Sequence, residues 1–475
     1  MMANSARDPY WQAAVRREVL DHPSARDEIE HECSICHMPM ANTEARARGE
    51  KPRIFAHLRV GAGDSPESQL AGDGVSCTIC HQITRDGFGT PASFTGGYVI
   101  DTITAQERPI FGPFQVDRGR TTIMRSVTGF VPSEATHIRE SEMCATCHTL
   151  YTNARGANGE VLGRLPEQVP YLEWRHSAFR AERSCQSCHM PVVVEPTPIA
   201  SVLGEPRAGL ARHGFRGGNA FMLRMLNRYR GELGVQALPH ELDRAVQATV
   251  SHLQEDTARV RIERLERASG QVAFDVAVEN LAGHKLPTGY PSRRAWLHVV
   301  VRDANGQVVF ESGRVEADGS ISGNDNDRDP LSFEPHYTEI RRADDVQIYE
   351  SIMLDQRGAV TTGLLKGLRF AKDNRLLPRG FDKSAAAPDI AVVGAAVEDR
   401  DFTAGSDRVH YVLGVAGATG ALTVETTLRF QPVAFRWAKN LLRYDAPEPK
   451  RFVTLFDAMA FISSDQLARA TASVR

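Results

Sequence analysis

No run of about eighteen apolar residues occurs anywhere in the 475-residue chain, so no segment reads as a membrane-spanning helix, and any attachment to a bilayer would come through a partner. A dominant charge is also missing: 56 lysines and arginines stand against 59 acidic residues, a net charge of −3, which leaves no electrostatic case for nucleic acid or an anionic surface. The first ten residues, Met1 to Tyr10, lack the apolar stretch of a secretory signal. No cysteine occurs beyond Cys188, and none of the eight stands alone. The hydrophobic share of 42% and charged share of 24% are those of a globular protein, and the length exceeds one ordinary core, which predicts two domains.

All eight cysteines fall into four pairs with two residues between them, and a histidine follows each pair. The motifs are Cys33/Cys36/His37, Cys77/Cys80/His81, Cys144/Cys147/His148 and Cys185/Cys188/His189. Two thiols at this spacing can add to the two vinyl groups of one haem, and the next imidazole then lies over the iron as its proximal ligand. Structural zinc, a redox dithiol or an exported disulfide can each use a Cys-x-x-Cys pair, but none needs the histidine. With 16 histidines in 475 residues, four such coincidences have a chance of roughly one in a million. The expectation is four covalent haem c groups, with propionates that claim some of the arginines. Covalent haem attachment takes place outside the cytoplasmic membrane, so a periplasmic or extracellular location is expected, with an export signal removed or lying upstream.

Electron-carrying haems usually have a second axial ligand, histidine or methionine. Outside the motifs twelve histidines remain, enough for four bis-histidine irons. His57, His137 and His213 lie in the motif-bearing half, and His284 sits in a loop bounded by glycines and a proline that could present an imidazole across a domain boundary. These four are the first choices; His176 and His22 are reserves, and His31 is too close to Cys33 for its own iron but within reach of a neighbour's. For a lone histidine the ordinary reading is a surface or hydrogen-bonded core residue. Met38, Met40 and Met190 follow their motifs too closely to fold over the opposite face and read as packing at a haem edge.

The chain is expected to be a multidomain α+β protein, with a loop- and helix-rich tetrahaem domain over residues 1–256 and a β-sandwich with a C-terminal helix over 257–475. Trp11, Val15 and Val19 mark an opening helix; Asn219 to Leu233 and the segment holding Leu242, Val246, Val250 and Leu253 predict two more, the last ending near Asp256. Between about residues 40 and 215 there is little periodicity and much glycine and proline, so haem would supply the missing core. Beyond Asp256 the period becomes two. Val260 and Ile262 pair with Val272 to Val278 across Ser269-Gly270, Trp296 to Arg302 pairs with Gln307 to Phe310 across Asn305-Gly306, and Tyr411 to Leu413 and Leu422 to Leu428 add strands. An antiparallel sandwich of about seven strands closes such a set, with Phe435 to Tyr444 as a final helix. The loop Asn324 to Asp329 brings carboxylates to alternate positions, a weak match to a calcium loop.

These motifs, the Cys-His-Met-Pro endings at Cys36 to Pro39 and Cys188 to Pro191, and the spacing from His137 through Ser141 to Cys144 resemble multihaem c-type cytochromes of the cytochrome c-554-like superfamily, over residues 1 to about 220. Gly283-His284-Lys285-Leu286-Pro287-Thr288-Gly289 is similar to a loop near a haem in larger relatives that carry a β-domain. The resemblance implies bis-histidine haems packed as a chain, in an exported electron carrier of bacterial respiration that serves redox partner proteins. Relatives that reduce nitrite commonly have lysine for a motif histidine; no such replacement occurs here. A carrier is therefore expected rather than an enzyme. The alternatives are an oxidoreductase with one open haem acting on a small nitrogen or sulfur compound, and a homo-oligomer or conducting filament whose contacts are made by the β-domain.

Overall fold

Asp8 starts the first long helix, α1 (Pro9–Asp21), by accepting the Tyr10 and Trp11 amides at 2.8 and 3.2 Å, with Pro9 at the first helical position, where its missing N–H costs nothing. The computed structural model describes residues 1–58, 65–102, 107–200 and 204–475. Trp11, Val15 and Val19 lie on one face of α1 and pack with Ile29, Met38 and Phe55. Helix α2 (Arg26–His37) ends on the first motif, α3 (Ser141–His148) carries the third, and single helical turns over Cys77–Cys80 and Cys185–His189 carry the others. A short helix, α4 (Pro170–Arg175), bears Glu173.

Helix α5 (Ala220–Arg228) is capped by the Asn219 side chain, which accepts the Met222 amide at 3.0 Å. It stops five residues before the predicted Leu233, ahead of a turn in which Gly234 takes φ +64°. Helix α6 (Pro239–Asp256) ends where expected, and strand β1 (Ala258–Ala268) follows at once. β1 pairs antiparallel with β2 (Gln271–Asn280), with Val260 opposite Val278, as the alternation implied. β3 (Arg294–Arg302) and β4 (Val308–Ser312) form the second predicted hairpin.

Strands β5 (Ser406–Gly414) and β6 (Leu422–Gln431) are consecutive but belong to different sheets. β5 pairs with β2, and β6 with β3. Inner-face residues Phe274, Val276, Val299, Val301, Tyr411 and Val424 share one core, and the Phe274 and Tyr411 rings stack at 5.0 Å. The sheets are not wholly antiparallel: the short strand Glu339–Ile340 runs parallel to β5 at its edge.

The Phe435 to Tyr444 helix is neither continuous nor final. It is α7 (Phe435–Lys439) and then a tighter 3-10 turn, followed by α8 (Pro447–Asp457) and an edge strand, β7 (Asp465–Val474), paired with β6. β7 is rich in alanine and polar residues, because only one of its faces meets the core, and so it leaves little alternating signal. Phe452 and Phe456 of α8 join a core with Tyr10 of α1 and Phe221 of α5, and Arg16 grips Glu448 at 2.8 and 2.9 Å. Both ends of the chain are thus fixed to each other and to α5. In the acidic loop, Asp327 forms a two-point ion pair with buried Arg294, both contacts 2.9 Å, and caps the Ile321 amide; this carboxylate is taken up inside the protein rather than offered to calcium.

Candidate functional site

On a helical turn, residues three apart share a face, so each Cys-x-x-Cys presents two thiols in one direction. All eight cysteines are free of disulfides. The third motif lies at the centre of the group. The Cys36 thiol lies beside Cys147, and the Cys144 thiol beside Cys185, close enough that in each pair the pKa of the first rises and that of the second falls. Cys80 is also close enough to feel Cys147, and burial pushes it up to about 12. Sulfurs of all four motifs are therefore gathered around α3.

The motif histidines are deep in the protein yet keep accessible surface. His148 is exposed, yet the protein around it, with Arg293, lowers its pKa. Burial brings His37 and His189 down to about 4, and both retain partial accessibility. Neutral imidazole is the form that ligates a metal.

Three motif histidines are held in the same way. Nδ1 of His37 donates to the Ser5 carbonyl at 3.3 Å, Nδ1 of His81 donates to the Phe111 carbonyl at 2.5 Å, and Nδ1 of His189 donates to the Arg216 carbonyl. A carbonyl can only accept, so Nδ1 carries the proton and Nε2 is left with a lone pair. That fixes both the tautomer and the ring direction a metal ligand requires.

Two of the first-choice histidines face motif histidines. The His81 and His213 rings are 6.0 Å apart with planes 31° apart, and those of His189 and His284 are 6.2 Å apart and nearly parallel, at 9°. Two metal–nitrogen bonds of about 2 Å, plus about 1 Å from each nitrogen to its ring centre, put two axial imidazoles roughly 6 Å apart. The spacing fits an iron between each pair. His284 also donates from Nδ1 to the Lys285 carbonyl at 2.9 Å, leaving its Nε2 free. His252 was missed by the sequence reading: its ring is 5.9 Å from that of His189 at 68°, and Asp256, one turn on, holds its Nδ1 at 2.9 Å.

The other candidates are placed differently. His137 is buried among Phe88 and Phe111, with Nε2 on the Ile83 carbonyl at 2.8 Å. His176 is pinned by Nε2 to the Asp382 carbonyl at 2.9 Å, against Phe381. His57 ends the helical turn Ile54–His57 and has no ring contact with a motif histidine. His22 is buried with neither ring nitrogen hydrogen-bonded, and His31 faces the Asn42 amide at 3.4 Å. The His37 ring stacks on Trp11 at 4.6 Å. Met40 packs in a cluster with Cys80 and Cys147, and Met38 is buried near Cys33, in keeping with edge packing.

Among the described residues, one cluster outside the motifs has metal-ligand geometry: His336, Asp399 and Asp407, all buried. The amide of Asn374 is oriented by the Glu350 N–H and that of Gln347 by the Tyr337 N–H, so both NH2 groups donate to His336 Nδ1, at 3.0 and 2.9 Å. Nδ1 is then unprotonated, and Nε2 carries the proton it gives to Asp399 at 2.8 Å. The imidazole has no lone pair left for a cation. This is a hydrogen-bonded network that ties the strands together.

No protein-family model and no curated protein matches the chain. A solved structure described as a penta-heme cytochrome c552 from Thermochromatium tepidum matches it with a TM-score of 0.51 and 15% sequence identity, over 93% of this chain and 83% of that one. At that identity the likeness is one of fold.

Proposed function

We propose that each of the four motifs attaches one haem c through two thioethers and ligates its iron through the motif histidine, and that the protein transfers electrons. The observation that carries this reading is the roughly 6 Å gap between His81 and His213 and between His189 and His284, with Nε2 of His81, His189 and His284 left free by Nδ1 bonds to carbonyls. The gathering of all four motifs around α3 and the fold likeness to a penta-heme cytochrome add support. When bound, such a group supplies a ferric/ferrous couple that takes up and releases one electron.

The chain's own residues do the rest. Cys36 beside Cys147, and Cys144 beside Cys185, bring the attachment points of the first, third and fourth motifs close together, which makes the third the junction of the path. The carbonyls of Ser5, Phe111 and Arg216 orient the motif imidazoles, and His213 and His284 would be second ligands to the irons held by His81 and His189. Export to the periplasm or cell exterior, and exchange of electrons with redox partner proteins, follow from this cofactor chemistry. A haem-to-protein ratio of four by alkaline pyridine assay of natively matured protein is the expected result; a ratio near zero rejects the reading.

A second reading rests on one observation: among the described residues, neither His37 nor His148 has a facing histidine like those opposite His81 and His189. An iron left open there would make the protein an oxidoreductase for a small nitrogen or sulfur compound. Carbon monoxide binding to the reduced protein decides it: uptake at the first or third motif supports the enzyme, and no uptake supports the carrier.

A further inference from the structure

Two adjacent arginines at the start of β3 have opposite surroundings. Arg294 is saturated: its Nε donates to Gln431 at 2.8 Å and its two terminal nitrogens to Asp327, both at 2.9 Å. Among the described residues Arg293 makes one hydrogen bond, from Nη1 to the Thr288 carbonyl at 2.7 Å. Its guanidinium is enclosed enough for burial to bring its pKa down to about 10, and no acidic group offsets that effect. Among the described residues the buried cations, Arg17, Arg155, Arg294, Arg375, Lys285 and Lys372, each meet a carboxylate, and half-buried Arg429 and Arg451, which bond Ser464 and Gln12, still feel the charges of Asp465 and Glu448.

Arg293 lies beside the motifs. It bonds the carbonyl of Thr288 in the loop that carries His284, it is half-buried, and its charge lowers the pKa of both His148 and His284. It is also held in place. A side chain at Gly289 would put Cβ 2.8 Å from Arg293 Nη1, so only glycine lets the guanidinium lie against this backbone, and Gly289 itself takes φ +84°. A half-buried guanidinium that is held by one carbonyl and has free N–H donors and no counter-ion is a site suited to an anion, most strongly a carboxylate or oxyanion that can accept two parallel bonds.

We infer that Arg293, beside the loop that carries His284, is an anion-binding residue, and that it takes a carboxylate or small oxyanion. This rests on the haem reading. Two sources share the chemistry: a propionate of a haem attached at the third or fourth motif, or a free oxyanion reaching an iron there.

The test uses natively matured holoprotein, wild type and Arg293→Gln, with intact mass as a control. Loss of haem from the wild type would sink the haem reading itself, whereas the inference is judged on samples carrying four haems. If a propionate is the ligand, Arg293→Gln lowers the midpoint potential of one haem, because a nearby positive charge is lost, and added nitrite leaves both spectra unchanged. If a free oxyanion is the ligand, nitrite produces a saturable change in the wild-type visible spectrum, and Arg293→Gln weakens it at least tenfold. Unchanged potentials together with an unchanged nitrite response overturn the inference. Should Arg293→Gln fail to mature, a crystal structure of the wild-type holoprotein decides: a propionate or anion oxygen on the guanidinium supports the assignment, and a guanidinium bonded to the Thr288 carbonyl alone overturns it.

Discussion

Oε2 of Glu173 accepts the Thr288 hydroxyl at 2.5 Å, and the same oxygen accepts the Lys285 amide at 3.1 Å. A fully buried carboxylate on α4, in the cysteine-bearing half, thereby fixes both ends of the segment that presents His284 and leads to Arg293. Its other oxygen meets Arg375 at 2.9 Å. Glu173→Ala leaves that guanidinium short of a partner and frees the loop, and should cost about 3–5 kcal/mol. Urea unfolding of the holoprotein measures this, and an unchanged midpoint would contradict the role given to Glu173.

Asp373 governs acid stability. It accepts Lys285 Nζ at 2.8 Å and Arg375 Nη2 at 2.7 Å, and although burial pushes its carboxyl up, these two cations hold it well below the usual carboxylate range. A depressed folded pKa means that the unfolded chain binds the proton first as pH falls. The stabilisation is therefore complete above about pH 4 and is lost below it. Asp373→Asn should be less stable than wild type at pH 7, and the gap should narrow by pH 3; denaturant midpoints at the two values test this.

Glu167 acts with the opposite sign. It is buried, and desolvation raises its pKa from 4.5 to about 7 despite hydrogen bonds from Thr152 and Gln168. Between those values the folded state binds more protons than the unfolded, so stability declines as pH rises from about 4.5 to about 7, and the penalty is complete above that. Glu167→Gln should flatten this part of the pH profile and gain stability at pH 8 relative to wild type. Thermal melts across pH 4.5 to 8 would show it, and a parallel profile in the variant would refute it.

Ligand replacement separates the histidines by role. His213→Gly and His284→Gly should each turn one low-spin haem high-spin and able to bind carbon monoxide, whereas His176→Gly, whose imidazole is bound to the Asp382 carbonyl, should leave every haem spectrum as it was. Paramagnetic resonance counts the spin states. If His252 rather than His284 closes the fourth iron, the change appears in His252→Gly instead.

Local chemistry made much of this legible in the sequence. The Cys-x-x-Cys-His spacing marks the motifs without reference to the fold, and strict alternation from Val272 to Val278 specifies a strand that the structure pairs, as expected, with the one holding Val260 and Ile262. His284 could be singled out because glycines and a proline flank it. What escaped depends on contacts far apart in the chain. His252 sits on a helix whose apolar pattern accounts for its neighbours, so nothing local sets it apart. Arg293 looks like Arg294 in sequence, and only the placement of Asp327 separates the satisfied guanidinium from the unsatisfied one. β7 and α8 went unread because the strand buries one small-residue face and the helix packs on α1, more than four hundred residues earlier.

Intact-mass analysis of the natively matured protein tests the central claim most directly. The account predicts a polypeptide heavier by four haems, reduced to three when Cys77, Cys80 and His81 are replaced together. A bare polypeptide mass, or one carrying zinc and no porphyrin, would contradict it.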